Sequence, residues 1–146
     1  MIRLTLAALG LIAAPALAAP RAAAPRPPAP PVGQVRLPVL SYTVHASGPK
    51  TGALAQRRDI VTVDYTLTLL DGTVVDSSVA RGEPATFPLN QLIPAWQVLV
   101  QLMRPGDDWT FYVPPEYGYG PTARDKLPAN SFLIFRVKLI AARAPE

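Results

Sequence analysis

Few side chains in this sequence could carry out chemistry, and most conventional reaction types fall away at once. Cysteine is absent, which excludes thiol nucleophiles, thiolate metal sites and a disulfide framework. His45 is the only histidine, so a histidine-rich metal centre is out of reach and a Ser-His-Asp triad would have to use that residue. It falls on the polar side of an alternating segment, the ordinary place of a solvated surface histidine. Asp107-Asp108 pairs two carboxylates in a turn before a strand, where both are expected to face solvent. Tyr117-Gly118-Tyr119-Gly120 lacks the spacing and the following helix of a phosphate-cradling loop. One pattern is left. Aromatic and aliphatic residues gather near a few polar groups: Tyr65, Val75-Asp76, Arg81, Phe87, Leu92-Ile93, Trp96, Tyr119 and Phe135. Taken singly each is ordinary core material, and Asp76-Ser77-Ser78 reads equally as turn chemistry at a strand end. This inventory points away from hydrolysis, redox and metal chemistry, and no cofactor is expected.

The elements that must position these residues are legible from their periods. Val61, Val63, Tyr65, Leu67 and Leu69 alternate with Thr62, Asp64, Thr66 and Thr68, a strand with one buried and one wet face. Asp71-Gly72 is a strong hairpin signal, and the return strand starts at Thr73–Val75. Leu40, Tyr42 and Val44 alternate in an earlier strand. Trp109, Phe111 and Val113 form another, stopped by Pro114-Pro115. Leu133, Phe135, Val137 and Leu139 form the last, with Arg136 and Lys138 on its other face. One stretch changes period: Trp96, Leu99, Val100 and Met103 lie at helical spacing, an amphipathic helix of two to three turns. Pro94 suits its first turn, and Pro105-Gly106 is expected to end it. Strands at both ends with a helix between them give an α+β domain, an antiparallel sheet wrapped on one short helix.

The chain has 146 residues, 49% of them apolar, and a net charge of +4. That is enough for a single domain with a real core. The basic residues are scattered, without the aromatic-interleaved stripe that nucleic acid requires. Organisation follows from the 18 prolines. Met1–Arg3 is a charged start, Leu4–Leu17 a short apolar run, and Ala16-Leu17-Ala18 a small-residue exit, the three parts of a secretory signal peptide. Pro15 breaks a run already shorter than the roughly 20 residues a bilayer span needs. Residues 1–18 are therefore expected to be cleaved, leaving no membrane span and a periplasmic or secreted protein. Residues 19–38 carry seven prolines and read as an extended, disordered linker. The globular domain is left to residues 39–146.

At the aromatic cluster the sequence resembles the FKBP-type peptidyl-prolyl cis-trans isomerases, with wording most like exported bacterial members. The blocks that carry the resemblance run in order. They include Val63-Asp64-Tyr65-Thr66, Asp71-Gly72-Thr73-Val74-Val75-Asp76-Ser77-Ser78, Arg81-Gly82-Glu83-Pro84 and Leu92-Ile93-Pro94-Ala95-Trp96. Val113-Pro114-Pro115-Glu116-Tyr117-Gly118-Tyr119-Gly120, Leu127-Pro128-Ala129-Asn130 and Leu133-Ile134-Phe135 follow.

The resemblance implies an FKBP-like fold with a pocket between helix and sheet. Trp96 would be the floor, and Tyr65, Phe87, Leu92, Ile93, Tyr119 and Phe135 the walls. Tyr65, Asp76, Tyr119 and Phe135 would be the catalytic residues, and Val75, Arg81, Phe87, Leu92, Ile93, Trp96 and Leu127 would bind substrate. The Ile93 N–H and the Tyr119 hydroxyl would hold substrate carbonyl oxygens, and Asp76 would sit in a rim network with Tyr65 and Arg81. The implied activity is rotation about Xaa-Pro bonds in proline-containing segments of unfolded or partly folded exported proteins. The implied alternative is a non-catalytic chaperone or peptide-binding module that uses the same groove. Val75 stands where the family usually has Phe, and the Gly120–Leu127 loop is short. Together they imply a wider pocket that binds macrolides such as rapamycin weakly. A helical dimerisation arm does not fit the proline-rich linker, so a monomer is expected.

Overall fold

In the computed structural model, residues 39–146 are described; the expected signal peptide and linker lie outside them. Six strands form one antiparallel sheet: β1 (Ser41–Ala46), β2 (Ile60–Leu69), β3 (Val74–Ser77), β4 (Ala85–Pro88), β5 (Asp108–Val113) and β6 (Leu133–Arg143). Their order is β1-β5-β6-β2-β3, with β4 also pairing β2. The α+β architecture expected from the periods is present. The long β2–β6 ladder runs from Ile60↔Arg143 to Leu69↔Leu133. The inward residues of both strands, among them Val61, Val63, Tyr65, Leu67, Phe135, Val137 and Leu139, are buried while their alternating neighbours are not.

The helix packed on this face is α2 (Pro94–Leu99), with Pro94 in its first turn as expected. Its α-helical part is shorter than the period implied: Val100–Leu102 tightens into a 3-10 turn and the backbone is extended at Met103, two residues before Pro105. All four residues of the apolar stripe are nevertheless buried. The 3-10 turn keeps Val100 and Met103 on the face that Trp96 and Leu99 began.

Two elements have no signal in the period: β4 and the four-residue helix α1 (Ser78–Arg81). Together with β3 they occupy a single edge of β2. β4 pairs with residues 60–63 and β3 with residues 66–68, and between them the chain leaves the sheet through α1. Ser77 caps α1, its side chain accepting the Ala80 N–H, and Gly82 closes it at φ 79°. Where the ladder is interrupted, Tyr65 donates its backbone N–H to the Ser78 hydroxyl at 2.8 Å. A fully buried serine thus replaces the missing strand partner.

Two expectations about exposure are corrected. Every residue of β1 is exposed, although an alternating buried face was anticipated. β1 is an edge strand, and its Tyr42 stacks on the outer face of Trp109, ring centroids 4.5 Å apart, instead of entering the core. Asp107 is buried, not solvated. Its carboxylate accepts the backbone N–H groups of Gly48 at 2.6 Å and Arg104 at 2.8 Å, which ties two loops together. Asp108, half-buried, makes a two-pronged ion pair with Arg136 across the β5–β6 ladder, 2.6 and 2.8 Å. His45 stays exposed, with Nε2 2.9 Å from the Thr110 hydroxyl.

Candidate active site

The inward face of the sheet and the first turn of α2 enclose a hollow of about 260 Å³. Strand pleating supplies its near wall, because Tyr65 and Leu67 are two apart on β2 and point the same way. Asp76 comes from β3, Phe87 from β4 and Phe135 from β6. Leu92 and Ile93 lead into α2, Trp96 is its third residue, and Tyr119 follows the Pro115–Tyr117 turn. The Gln97 side chain pins the approach to the helix by donating to the Leu92 carbonyl at 2.7 Å.

Trp96 lies at the base, 4% exposed, and organises the rings around it. Phe135, Tyr65 and Phe87 each meet the indole nearly at right angles, with centroids 5.5, 5.8 and 6.4 Å away. Phe111 does the same at 6.1 Å. Edge-to-face contacts of this kind add to the burial energy of the rings and fix their orientation. The result is a rigid cup.

Its rim carries one polar network. The Tyr65 hydroxyl donates to one Asp76 oxygen and the Arg81 guanidinium to the other, while Arg81 Nη2 lies 3.4 Å from the Tyr65 oxygen. Burial, with help from the adjacent carboxylate, pushes the Tyr65 phenol above its ordinary range. Burial also pushes the Asp76 carboxyl up, but the Tyr65 and Arg81 hydrogen bonds and the Arg81 charge outweigh it and hold the group below the usual carboxylate range. At neutral pH the rim is therefore a protonated phenol, an ionised carboxylate and a guanidinium, with no group poised to exchange a proton. The Ile93 carbonyl receives the first N–H groups of α2, and its own N–H has no acceptor among the described residues. Also among the described residues, no three His, Asp or Glu side chains gather into a metal-binding group.

Eight residues singled out in the sequence line this cup: Tyr65, Asp76, Phe87, Leu92, Ile93, Trp96, Tyr119 and Phe135. Arg81 stands outside it and reaches in through Asp76 and Tyr65. Val75 and Leu127 do not line it. They belong to an adjoining hollow of about 300 Å³ that also takes in Asp76; Val75 is the extra residue of a bulge, between Val74 opposite Thr68 and Asp76 opposite Leu67. Sequence reasoning passed over Leu67, which lines both hollows; its place two residues after Tyr65 on one strand face was the available signal.

Comparison with known proteins agrees with this geometry. Residues 52–140 match the family described as FKBP-type peptidyl-prolyl cis-trans isomerase. The FKBP-type peptidyl-prolyl cis-trans isomerase FkpA of Aeromonas hydrophila is 51% identical over 106 residues, 73% of this chain and 39% of that protein. The outer membrane protein MIP of Legionella longbeachae is 43% identical, over 71% of this chain and 44% of that protein. The crystal structure of FkpA from Escherichia coli superposes with a TM-score of 0.68 at 35% identity, covering 72% of this chain and 48% of that one. The chain spans about two-fifths of the length of the relatives it matches. An aromatic cup on a six-stranded sheet, a tyrosine–aspartate–arginine rim and the family match over residues 52–140 lead to one assignment: this chain belongs to the FKBP-type peptidyl-prolyl cis-trans isomerase family.

Proposed function

We propose that the domain catalyses rotation about Xaa-Pro bonds in other polypeptides. The observation that carries this reading is the cup itself: a buried indole ringed by three aromatic edges, with an inert polar rim. The obstacle to rotation is amide resonance, worth about 18–20 kcal/mol, which slows uncatalysed exchange to tens or hundreds of seconds. In the twisted state the nitrogen is pyramidal and the amide less dipolar than when planar. A water-poor aromatic wall disfavours the planar form more than the twisted one, and each ~1.4 kcal/mol of that difference is about tenfold in rate. In this reading the prolyl ring rests on Trp96. The Ile93 N–H and the Tyr119 hydroxyl hold carbonyl oxygens on either side of the bond and keep the chain in the rotated geometry. Asp76 and Arg81 hold the Tyr65 ring upright in the wall. None of these steps moves a proton or forms a covalent bond.

The substrates are then proline-containing segments of unfolded or partly folded proteins, and macrolides such as rapamycin would compete weakly for the cup. Export is part of the proposal, supported by the charged, apolar and small-residue pattern of residues 1–18 and by the outer-membrane name of one relative. Among the described residues no helix is long and apolar enough to cross a membrane. The alternative is a non-catalytic chaperone or peptide-binding module that uses the same groove without turning its ligand over. Isomerisation of a short Xaa-Pro peptide, with and without rapamycin, tests the reading. Acceleration that rapamycin suppresses is expected. Peptide binding without acceleration at micromolar protein would leave only the module.

A further inference from the structure

The outer face of α2 carries no charge. Pro94, Val98 and Leu102 recur there four residues apart, with Gln97 and Gln101 beside them, where a surface helix ordinarily presents ionised side chains. Val98 is 51% exposed and Leu102 46%. The segment that leads into β2 runs alongside. Arg104 Nε donates to the Gly52 carbonyl at 2.9 Å, and the Ala55 backbone N–H to the Met103 carbonyl at 3.1 Å. Further along, Arg57 and Arg58 form the tip of a turn closed by Asp59 and Gln56. Arg57 and the helix residues Pro94, Gln97, Val98 and Gln101 line an open hollow of about 300 Å³ that shares no residue with the cup.

The charge around this hollow is one-sided. Residues 48–59 and 89–107 hold four cations, Lys50, Arg57, Arg58 and Arg104, against two carboxylates. Both carboxylates are engaged by backbone N–H groups: Asp59 by Gln56, and buried Asp107 by Gly48 and Arg104. Arg57 and Arg58 make no ion pair among the described residues. The glutamines are oriented too. Gln97 Nε2 donates to the Leu92 and Asn90 carbonyls, and Gln101 Nε2 to the Gln97 carbonyl. Their Oε1 atoms have no donor among the described residues and are left as acceptors.

We infer that this hollow is a docking site, separate from the cup, for a polypeptide segment in which an aliphatic side chain is flanked by carboxylates. The aliphatic group covers Pro94 and Val98, the carboxylates meet Arg57 and the cations around it, and backbone N–H groups of the segment donate to the glutamine oxygens. An anionic bilayer would meet the same cations, but a concavity provided with hydrogen-bond acceptors serves a peptide. The site does not require proline and stands apart from the isomerase reading. If both hold, a client anchored here presents its prolyl bonds to the cup at raised effective concentration.

The test measures Kd by fluorescence anisotropy for three labelled, proline-free peptides, Glu-Glu-Leu-Glu-Glu, Glu-Glu-Ser-Glu-Glu and Lys-Lys-Leu-Lys-Lys, with the full chain. The acidic leucine peptide is expected to bind about tenfold tighter than the basic one, as two solvent-facing charge contacts allow. It should bind about threefold tighter than the serine peptide, for partial burial of one aliphatic side chain. Both preferences should persist with excess Ala-Leu-Pro-Phe in the cup. Arg57→Glu should reduce the charge preference to about twofold or less, and Val98→Gln should remove the leucine preference; ratios taken within one protein do not depend on its folded fraction. Raising salt from about 0.05 M to about 1 M should abolish the charge preference in the wild type. Equal binding of acidic and basic peptides, a ratio unmoved by Arg57→Glu, or displacement by Ala-Leu-Pro-Phe overturns the inference. So does binding to phosphatidylglycerol vesicles without binding to the acidic peptide. Acidic-peptide binding in a protein that turns over no Xaa-Pro substrate would sink the isomerase reading and leave this site standing.

Discussion

Phe135 meets the Trp96 indole edge-on at 5.5 Å, and Asp76 anchors the Tyr65 hydroxyl at the rim, so each shapes the cup from a different side. Phe135→Ala removes a wall, and Asp76→Ala frees both Tyr65 and Arg81. Each is expected to lower kcat/KM on a Xaa-Pro peptide by about tenfold, roughly 1.4 kcal/mol of transition-state stabilisation. Wild-type rates in both variants would show that the reaction takes place elsewhere. Titration gives a second prediction at this scale. The Asp108 carboxyl is held low, first by the Arg136 hydrogen bonds and then by the Arg136 charge. A group whose folded-state pKa is depressed stabilises the protein above its unfolded value, about 3.9. That contribution is lost as pH falls through the lower folded value. Asp108→Asn should therefore cost about 1 kcal/mol or less at neutral pH. Its chemical-denaturation curve should merge with that of the wild type in acid. A gap that persists below both values would assign the loss to packing instead of charge.

Among the elements, the β3–α1–β4 excursion along one edge of β2 does most to define the site. It delivers Asp76 and Phe87 to opposite sides of Tyr65 and leaves a gap in the β2 ladder that Ser78 fills. Ser78→Ala should cost about 1–3 kcal/mol, the penalty for leaving the Tyr65 N–H unsatisfied in a buried place. Thermal or denaturant unfolding measures it, and a loss below ~0.5 kcal/mol would mean that another acceptor serves that group. This excursion was not legible in the sequence. Four-residue segments such as β4 and α1 are too short to show a period; β4 is set by pairing with a strand more than twenty residues away in sequence, and α1 is anchored to that strand through Ser78. By contrast β2, β6 and the stripe of α2 were plain, because each repeats its apolar position often enough to mark a face.

For the molecule as a whole, the loops around Gly48 and Pro105 are closed on Asp107. A Cβ on Gly48 would lie 2.1 Å from the Pro105 carbonyl oxygen, so the loop backbones approach closely only because that position has no side chain. Gly48→Ala should destabilise the fold by several kcal/mol, read from the midpoint of unfolding. A neutral result would show that the loop can move aside without loss. Asp107, expected to be a solvated turn residue, is the buried acceptor of this junction. Its neighbour Asp108 has an identical side chain and sits in the outward ion pair. Adjacent strand and turn positions face opposite ways, and sequence alone does not say which of two like residues turns inward. The alternation of β2 and β6 and the helical stripe from Trp96 to Met103 were written in the sequence, since burial of a face demands a repeating pattern. So was the set of residues that make the cup, through their family resemblance. Only the tertiary structure decided that Val75 and Leu127 belong to a second hollow and that Leu67 joins the first. Those placements depend on how strands and turns distant in sequence pack against one another, which no local pattern encodes.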